Sequence, residues 1–346
     1  MKISKILFIG LGGIGQRHLR NVYSKFGSEI SYLAYRERNF NHTITNNLTV
    51  EKNVNFIEKY SVEVYSNLSD ALLEKPEIAF ICNPSSLHID TCLAVAKSGC
   101  DFFVEKPLSH SMEGIEELKS ICRSKKLITY VGFQFRFHPC YLLFKKLIEE
   151  EIIGNLLSVT AEVGEFLPDM HRYEDYSQLY ASRKDLGGGV VVSQIHEIDY
   201  LYDLFGKPTK VSAFGGHLSN LEIDVEDVAK VLLQMNFKGR KLPISLHMDY
   251  IQKPPSRFCK IIGEEGKITM DITNSRVIIE KPGKDIECHD FSDFERNEMF
   301  VKEIDYFFQC VYNRKLPVIS IEEGIISLKI ALAIKESLES GTTIDF

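Results

Sequence analysis

The stretch Ile6-Leu7-Phe8-Ile9-Gly10-Leu11-Gly12-Gly13-Ile14-Gly15 decides the fold. Its apolar run reads as a buried strand feeding a glycine-rich turn. The next segment, Gln16 to Phe26, has the spacing of a helix with Ile14, Leu19 and Val22 on one face. In that strand–turn–helix context, Gly10-x-Gly12-x-x-Gly15 is a dinucleotide-binding fingerprint. Gly10 permits the tight turn, Gly12 lets backbone approach a pyrophosphate, and Gly15 lets the helix pack on the strand. The helix N-terminus offers unpaired N–H groups to phosphate. Gly10, Gly12, Gly13, Ile14 and Gly15 are therefore expected to hold a dinucleotide.

Working outward, strands are expected at Ile30 to Tyr35, Val62 to Tyr65, Ile78 to Cys82, Asp101 to Glu105 and Leu127 to Gly132. Helices are expected at His88 to Ser98 and at Ser111 to Ser124, the second capped by Ser111. Phe40 to Lys59 is polar and reads as helix and loop. Strands alternating with helices imply a parallel sheet covered on both faces. Residues 1–131 thus read as a doubly wound, Rossmann-type α/β domain.

From Pro139 the rhythm changes. After a helix at Tyr141 to Glu151 come alternating strands at Leu157 to Glu165, Lys210 to His217, Val228 to Phe237, Leu242 to Tyr250, Phe258 to Ile262, Lys267 to Asp271 and Arg276 to Glu280. Helices near Asp293 to Tyr312 and Ile321 to Leu338 close the chain. Residues 132–346 read as an α+β domain with a large, open, mixed or antiparallel sheet, one face packed on helices. The other face is a candidate subunit interface.

Composition narrows the classes. The chain has 346 residues, natural for two domains, with 44% hydrophobic and 26% charged residues, as in soluble globular proteins. No apolar run is long enough for a membrane span, and no signal peptide is evident. A formal net charge of −7 argues against nonspecific nucleic-acid binding. The eight cysteines contain no C-x-x-C pair. They read as reduced thiols of a cytoplasmic protein, with no disulfide framework and no metal site.

Cofactor choice turns on the end of the second strand, Tyr35-Arg36-Glu37-Arg38. An acidic residue there suits the ribose hydroxyls of NAD, and an arginine suits the 2′-phosphate of NADP. Arg36 favours NADP, while Glu37 leaves NAD open. Asn83, Pro84 and His88 follow the fourth strand, at the end where open α/β sheets bind ligands. Glu105 and Lys106 stand at the end of the fifth strand, where both are expected to touch the cofactor and a lysine can hold a substrate hydroxyl.

Gly10-x-Gly12-x-x-Gly15, Asn83-Pro84-x-x-x-His88, Glu105-Lys106-Pro107 and Gly132-Phe133-Gln134-Phe135-Arg136-Phe137-His138-Pro139 stand in order. So does Gly187-Gly188-Gly189 leading to His196-Glu197-Ile198-Asp199. With these motifs the chain resembles the glucose–fructose oxidoreductase/inositol dehydrogenase (Gfo/Idh/MocA) family over nearly its whole length. The resemblance implies an NAD(P)-dependent dehydrogenase or reductase acting on CH–OH groups of a sugar, polyol or sugar derivative, assembled as a homodimer or homotetramer. It implies that Lys106 orients the reacting hydroxyl and that His196 is the general acid/base. The Leu-Pro-Asp and Asp249-Tyr-x-x-x-Pro-Pro-x-Arg257 stretches look like a surface-glycan branch, which handles nucleotide sugars or nonulosonic acids.

One departure stands out. Many members carry an aspartate a turn before the histidine, and here that position is Ser193, or Val192 if counted four back. Glu165 and Asp169 are candidate substitutes. Arg136, His138, Glu165, Asp169, Arg172, Ser193 and His196 are the expected substrate contacts. The departure keeps two alternatives open: an epimerase- or lyase-type enzyme that cycles a retained cofactor, and a noncatalytic dinucleotide or ligand sensor.

Overall fold

The computed structural model describes residues 3–36 and 42–346. Glu37 and Arg38, weighed above for cofactor choice, lie outside the described residues. The chain divides into two compact units, Met1–Phe133 with Asn297–Ile325, and Gln134–Arg296 with Ile326–Phe346. The segment Asn297–Ile325 therefore clusters with the first unit, which a single cut after residue 131 does not capture.

In the first unit, β1 (Lys5–Ile9), β2 (Ser31–Tyr35), β3 (Val62–Tyr65), β4 (Ile78–Ile81), β5 (Asp101–Glu105) and β6 (Thr129–Gly132) form one sheet in the order β3-β2-β1-β4-β5-β6. Every neighbouring pair is parallel. The order reverses between β1 and β4, the switch point where such sheets bind ligands. Helix α1 (Gly13–Phe26) follows β1, α2 (His88–Ser98) follows β4, and α3 (Ile115–Lys125) follows β5.

Four rings sit in register across this sheet: Phe8, Phe80, Phe103 and Tyr130. Their centroids are 5.1, 5.2 and 5.1 Å apart, stacked along the sheet face. Phe307, on the late helix Arg296–Asn313, meets Phe80, Phe103 and Tyr130. Burying large rings in contact on one face gives the sheet its strongest apolar layer.

Two local expectations change. From residue 42 to Lys59 the chain forms a hairpin, Thr43–Ile44 with Val50–Glu51, before a short helix Phe56–Lys59. Gln16 of α1 ties the hairpin down, accepting from Ile44 N–H at 2.8 Å and donating to the His42 carbonyl at 2.8 Å. Helix α3 starts at Ile115, and Ser111 does not cap it. The Ser111 hydroxyl accepts from Glu113 N–H instead, and Gly114 at φ +73° sets the start.

In the second unit, β7 (Leu156–Gly164), β8 (Pro208–Gly216), β9 (Val228–Phe237), β10 (Arg240–Asp249), β11 (Ser256–Gly263), β12 (Gly266–Asp271), β13 (Arg276–Glu280), β14 (Glu287–Asp290) and β15 (Ile344–Asp345) form a nine-stranded sheet. Its order is β14-β13-β12-β11-β7-β10-β9-β8-β15. β7 pairs parallel with β10 and antiparallel with β11, so the sheet is mixed. The two edge strands β14 and β15 are short and polar, and no alternation announces them. Val211, Ala213, Val231, Leu233, Ile244 and Leu246 are buried on one face. Phe214, Leu232 and Ile262 stand exposed on the other.

Candidate active site

At the switch point of the first unit the backbone leaves no room for side chains. Gly10 adopts φ +89°, and a Cβ there would lie 2.9 Å from Cys82 and Asn83 backbone atoms. A Cβ on Gly15 would lie 2.0 Å from the Gly10 carbonyl oxygen. Gly12 differs, because a Cβ there meets nothing within 4 Å. That open space beside the start of α1 is where a pyrophosphate can approach bare backbone. Gly12 caps the helix without a side-chain bond, so the N–H groups at Gly13, Ile14 and Gly15 are not taken by a cap side chain. Gly10 N–H donates to the Tyr35 carbonyl at 2.9 Å, which brings the half-buried Arg36 to the edge of this turn.

The loop after β4 supplies a second feature that a dinucleotide could use. Asn83 Nδ2 donates to Thr91 Oγ1 at 2.9 Å, while its buried Oδ1 has no partner among the described residues. A buried amide oxygen without a donor is costly, and a bound nucleotide's polar group would satisfy it. These features fit a dinucleotide: an open cradle at Gly12, helix N–H groups that no cap side chain takes and an acceptor at Asn83. Pro84 precedes the short helical turn Ser85–Leu87. His88 lies with Nδ1 2.7 Å from the Pro107 carbonyl oxygen and Nε2 2.8 Å from the Asn83 carbonyl oxygen. It thus stands between the two loops, and the neutral ring can donate to one of the two carbonyls. Burial lowers its pKa below the ordinary value, against the two carbonyls and Glu105, which favour the charged ring.

Glu105 closes β5, buried, with Oε1 2.6 Å from His18 Nε2 and Oε2 accepting from Lys106 N–H at 3.2 Å. Lys106 follows directly, half-buried.

In the second unit, His196 is the first residue of helix α4 (His196–Phe205) and is 5% exposed. The side-chain amide of buried Gln134 lies 3.1 Å from its Nε2. The Phe135 ring lies 4.7 Å from the imidazole and carries the Arg257 guanidinium at 4.2 Å on its face. The acids beside His196 in sequence are committed elsewhere. Glu197 accepts two bonds from Arg257 at 2.7 and 2.8 Å. Asp199 accepts two from Arg136 at 2.8 Å each and one from Ser327 at 3.0 Å. Burial pushes the Asp199 carboxyl up, and Arg136 opposes the rise. Burial likewise disfavours the charge on Arg136, but Asp199 and Asp203 outweigh it and hold the guanidinium protonated.

Several expected substrate contacts take other places. Arg136 is buried between Asp199 and Asp203 and acts as a structural cation. His138 caps the helix Pro139–Glu149, its Nδ1 accepting from Cys140 N–H at 3.2 Å. Asp169 and Arg172 pair with each other at 3.1 Å on an exposed turn. Glu165 lies 3.8 Å from Arg257 and is partly exposed. Ser193 is buried at the end of the short helix before His196. Gln134 is the residue sequence reasoning missed. Its place beside Arg136 was visible, but an uncharged amide gave no chemical signal. No cluster of potential metal ligands and no membrane-spanning helix exists among the described residues.

Comparison with known proteins agrees with this geometry. Residues 4–133 match the family described as "Oxidoreductase family, NAD-binding Rossmann fold", and residues 145–346 match its C-terminal alpha/beta domain. The chain is 25% identical to scyllo-inositol 2-dehydrogenase (NAD(+)) of Bacillus subtilis (strain 168), covering 96% of this chain and 93% of that protein. A levoglucosan dehydrogenase in complex with NADH shares the fold, with a TM-score of 0.83, 17% identity and 99% of each chain covered. The WlbA dehydrogenase from Bordetella pertussis, in complex with NADH and UDP-GlcNAcA, does so at a TM-score of 0.79 and 19% identity, covering 100% of this chain and 98% of that one. With a glycine cradle at a parallel switch point, followed by a lysine at the next strand end and a buried histidine in the second unit, the chain belongs to the Gfo/Idh/MocA family of NAD-dependent oxidoreductases.

Proposed function

We propose that the protein interconverts a secondary alcohol and a ketone on a sugar, polyol or sugar derivative. Lys106 orients and polarises the reacting oxygen, and His196 takes or returns its proton. The observation that carries this reading is the buried His196–Gln134 pair, 3.1 Å apart, beside Phe135. Imidazole titrates near neutrality and so suits proton transfer. An amide can donate from its nitrogen or accept at its oxygen, so Gln134 can serve the ring with or without a proton on Nε2. Gln134 then stands in for the missing aspartate as the group that orients the base. Gly10, Gly12, Gly13, Ile14, Gly15, Asn83, Pro84 and His88 form or brace the cofactor cradle. When bound, the nicotinamide supplies the hydride chemistry. Arg36 at the end of β2 favours the 2′-phosphate of NADP over NAD. Phe214, Leu232 and Ile262 on the open sheet face suit a homo-oligomer.

The test is turnover of scyllo-inositol, myo-inositol, levoglucosan and a UDP-linked uronic acid with each nicotinamide, before and after Lys106→Ala. Lys106→Ala should abolish turnover while NADH binding survives. Near-wild-type turnover in that variant would remove Lys106 from the chemistry. Paired NADH and NADPH titrations decide the role of Arg36, and tighter NADH binding overturns it. The two acids beside His196 are engaged by arginines, which favours a second reading, a redox-neutral cycle on retained cofactor. Product formation without added cofactor or net absorbance change would support that reading.

A further inference from the structure

We propose that His18 is a positioning residue for Lys106, acting through Glu105 to fix the end of β5. The proposal rests on the reading of Lys106 given above. His18 lies one turn into α1, the helix that begins at the glycine cradle. It is wholly buried in the aromatic layer of the sheet, its ring 4.9 Å from Phe103, 5.6 Å from Phe80 and 6.1 Å from Phe300. The neighbouring positions in that layer use phenylalanine, and packing alone would accept another apolar ring here. What imidazole adds is a nitrogen aimed at a carboxylate, 2.6 Å from Glu105 Oε1.

The packing also decides the tautomer. His18 Nδ1 is buried and has no partner among the described residues. A proton on Nδ1 would be a donor without an acceptor. The ring's proton therefore sits on Nε2 and is donated to Glu105. The other carboxylate oxygen accepts from Lys106 N–H at 3.2 Å. Opposite Glu105 on β6 stands Gly132, where a Cβ would lie 3.3 Å from the Glu105 carboxyl carbon. The carboxylate is thus held by a donor on each oxygen and closely packed by β6. It links the cofactor-binding helix to the backbone of Lys106 within one unit. Glu105, expected from sequence to touch the cofactor, acts here as that link.

The test compares His18→Gln with His18→Asn. A glutamine amide reaches the place of Nε2–H, and an asparagine amide stops near Nδ1. His18→Asn should lower kcat about 10- to 100-fold, the loss expected from a misplaced reacting group. The Kd for NADH, read by fluorescence, should stay within about threefold, since the cradle is untouched. His18→Gln should restore most of kcat. Mass-spectrometric hydrogen exchange at the Lys106 amide, which needs no substrate, should quicken in the Asn variant and recover in the Gln variant. Equal kcat and equal Lys106 exchange in the two variants would overturn the proposal. Should His18→Asn not fold, Glu105→Gln takes its place, and full turnover in it is the overturning result. Lys106→Ala run alongside separates the failures. If it keeps turnover, the reading of Lys106 falls, and hydrogen exchange still decides the clamp.

Discussion

Two glycine-rich stretches in this protein solve similar steric problems and lead to different chemistry. At Gly10–Gly15, added Cβ atoms would collide with backbone at 2.0 to 2.9 Å, and the turn opens onto free space beside Gly12. At Gly187–Gly189, a Cβ on Gly188 would lie 2.2 Å from the Tyr180 carbonyl oxygen. On Gly189, at φ +114°, it would lie 2.2 Å from the Glu226 carboxylate. The first run makes a crevice from atoms close in sequence. The second delivers α4, whose acids are neutralised by arginines 60 and 63 residues away. A local steric demand leaves a motif that can be read. A long-range ion pair leaves only two charges, each of which resembles a solvated one.

The comparison breaks most sharply at Arg136. If the second stretch depends on distant partners, Arg136→Ala should leave Asp199 buried without its guanidinium partner. The expected loss is roughly 3–5 kcal/mol of stability, the usual cost of breaking one side of a buried pair. Urea denaturation measures it. A loss below about 1 kcal/mol would place Arg136 among the exposed, weakly coupled pairs.

Within the first stretch the glycines should separate. Gly15→Ala pushes a methyl against the Gly10 carbonyl and should cost about 1–3 kcal/mol, as overpacking does. Gly12→Ala meets nothing in the protein, so its stability should change by no more than about 0.5 kcal/mol, as at permissive surface sites. Its affinity for NADH should nevertheless fall at least tenfold, because the methyl occupies the phosphate approach. Calorimetric unfolding and fluorescence titration of the two variants give both numbers. A Gly12→Ala protein that binds NADH normally would move the pyrophosphate elsewhere.

This division explains what the sequence disclosed. The parallel sheet, its strand positions and the tight glycine turn after β1 followed from apolar runs and glycines, because burial on both faces of a parallel sheet leaves a continuous pattern. The hairpin after residue 42 was missed because its two-residue strands carry no period. The α3 start was misplaced because Ser111 looked like a cap, whereas Gly114 is needed where a Cβ would press on Ile89 at 2.6 Å. Arg136 and Asp199 could be named as polar residues, yet nothing local said that they meet. Gln134 was silent for the same reason, since an amide near a histidine shows its role only in three dimensions.

Gln134→Glu sharpens the comparison in the second unit by supplying the carboxylate that Ser193 does not. A carboxylate near imidazole favours the charged ring, so the acidic limb of the pH–rate profile should move upward by about one unit. The profile of kcat/KM reports it for the free enzyme. Gln134→Ala should lower kcat without moving the limb. An unmoved limb in Gln134→Glu would mean that His196 is not the titrating base.

The smallest effect lies back in the first unit, at His88, a buried ring set between the Asn83 and Pro107 carbonyl oxygens, only one of which it can bond when neutral. Its folded pKa lies below the ordinary 6.5 because burial disfavours the charged ring. Above pH 6.5 the ring is neutral in both folded and unfolded chains, and its contribution is complete. As pH falls below 6.5, the unfolded chain binds a proton that the folded chain refuses, so stability is lost until the folded pKa is reached. The slope from this one group is at most about 1.4 kcal/mol per pH unit. His88→Gln removes the titration, so its stability, measured in urea at pH 7.5, 6.5 and 5.5, should fall less on acidification than that of the wild type. Parallel losses would show that the two carbonyls, aided by Glu105, hold the ring's affinity for a proton at its unfolded value despite burial.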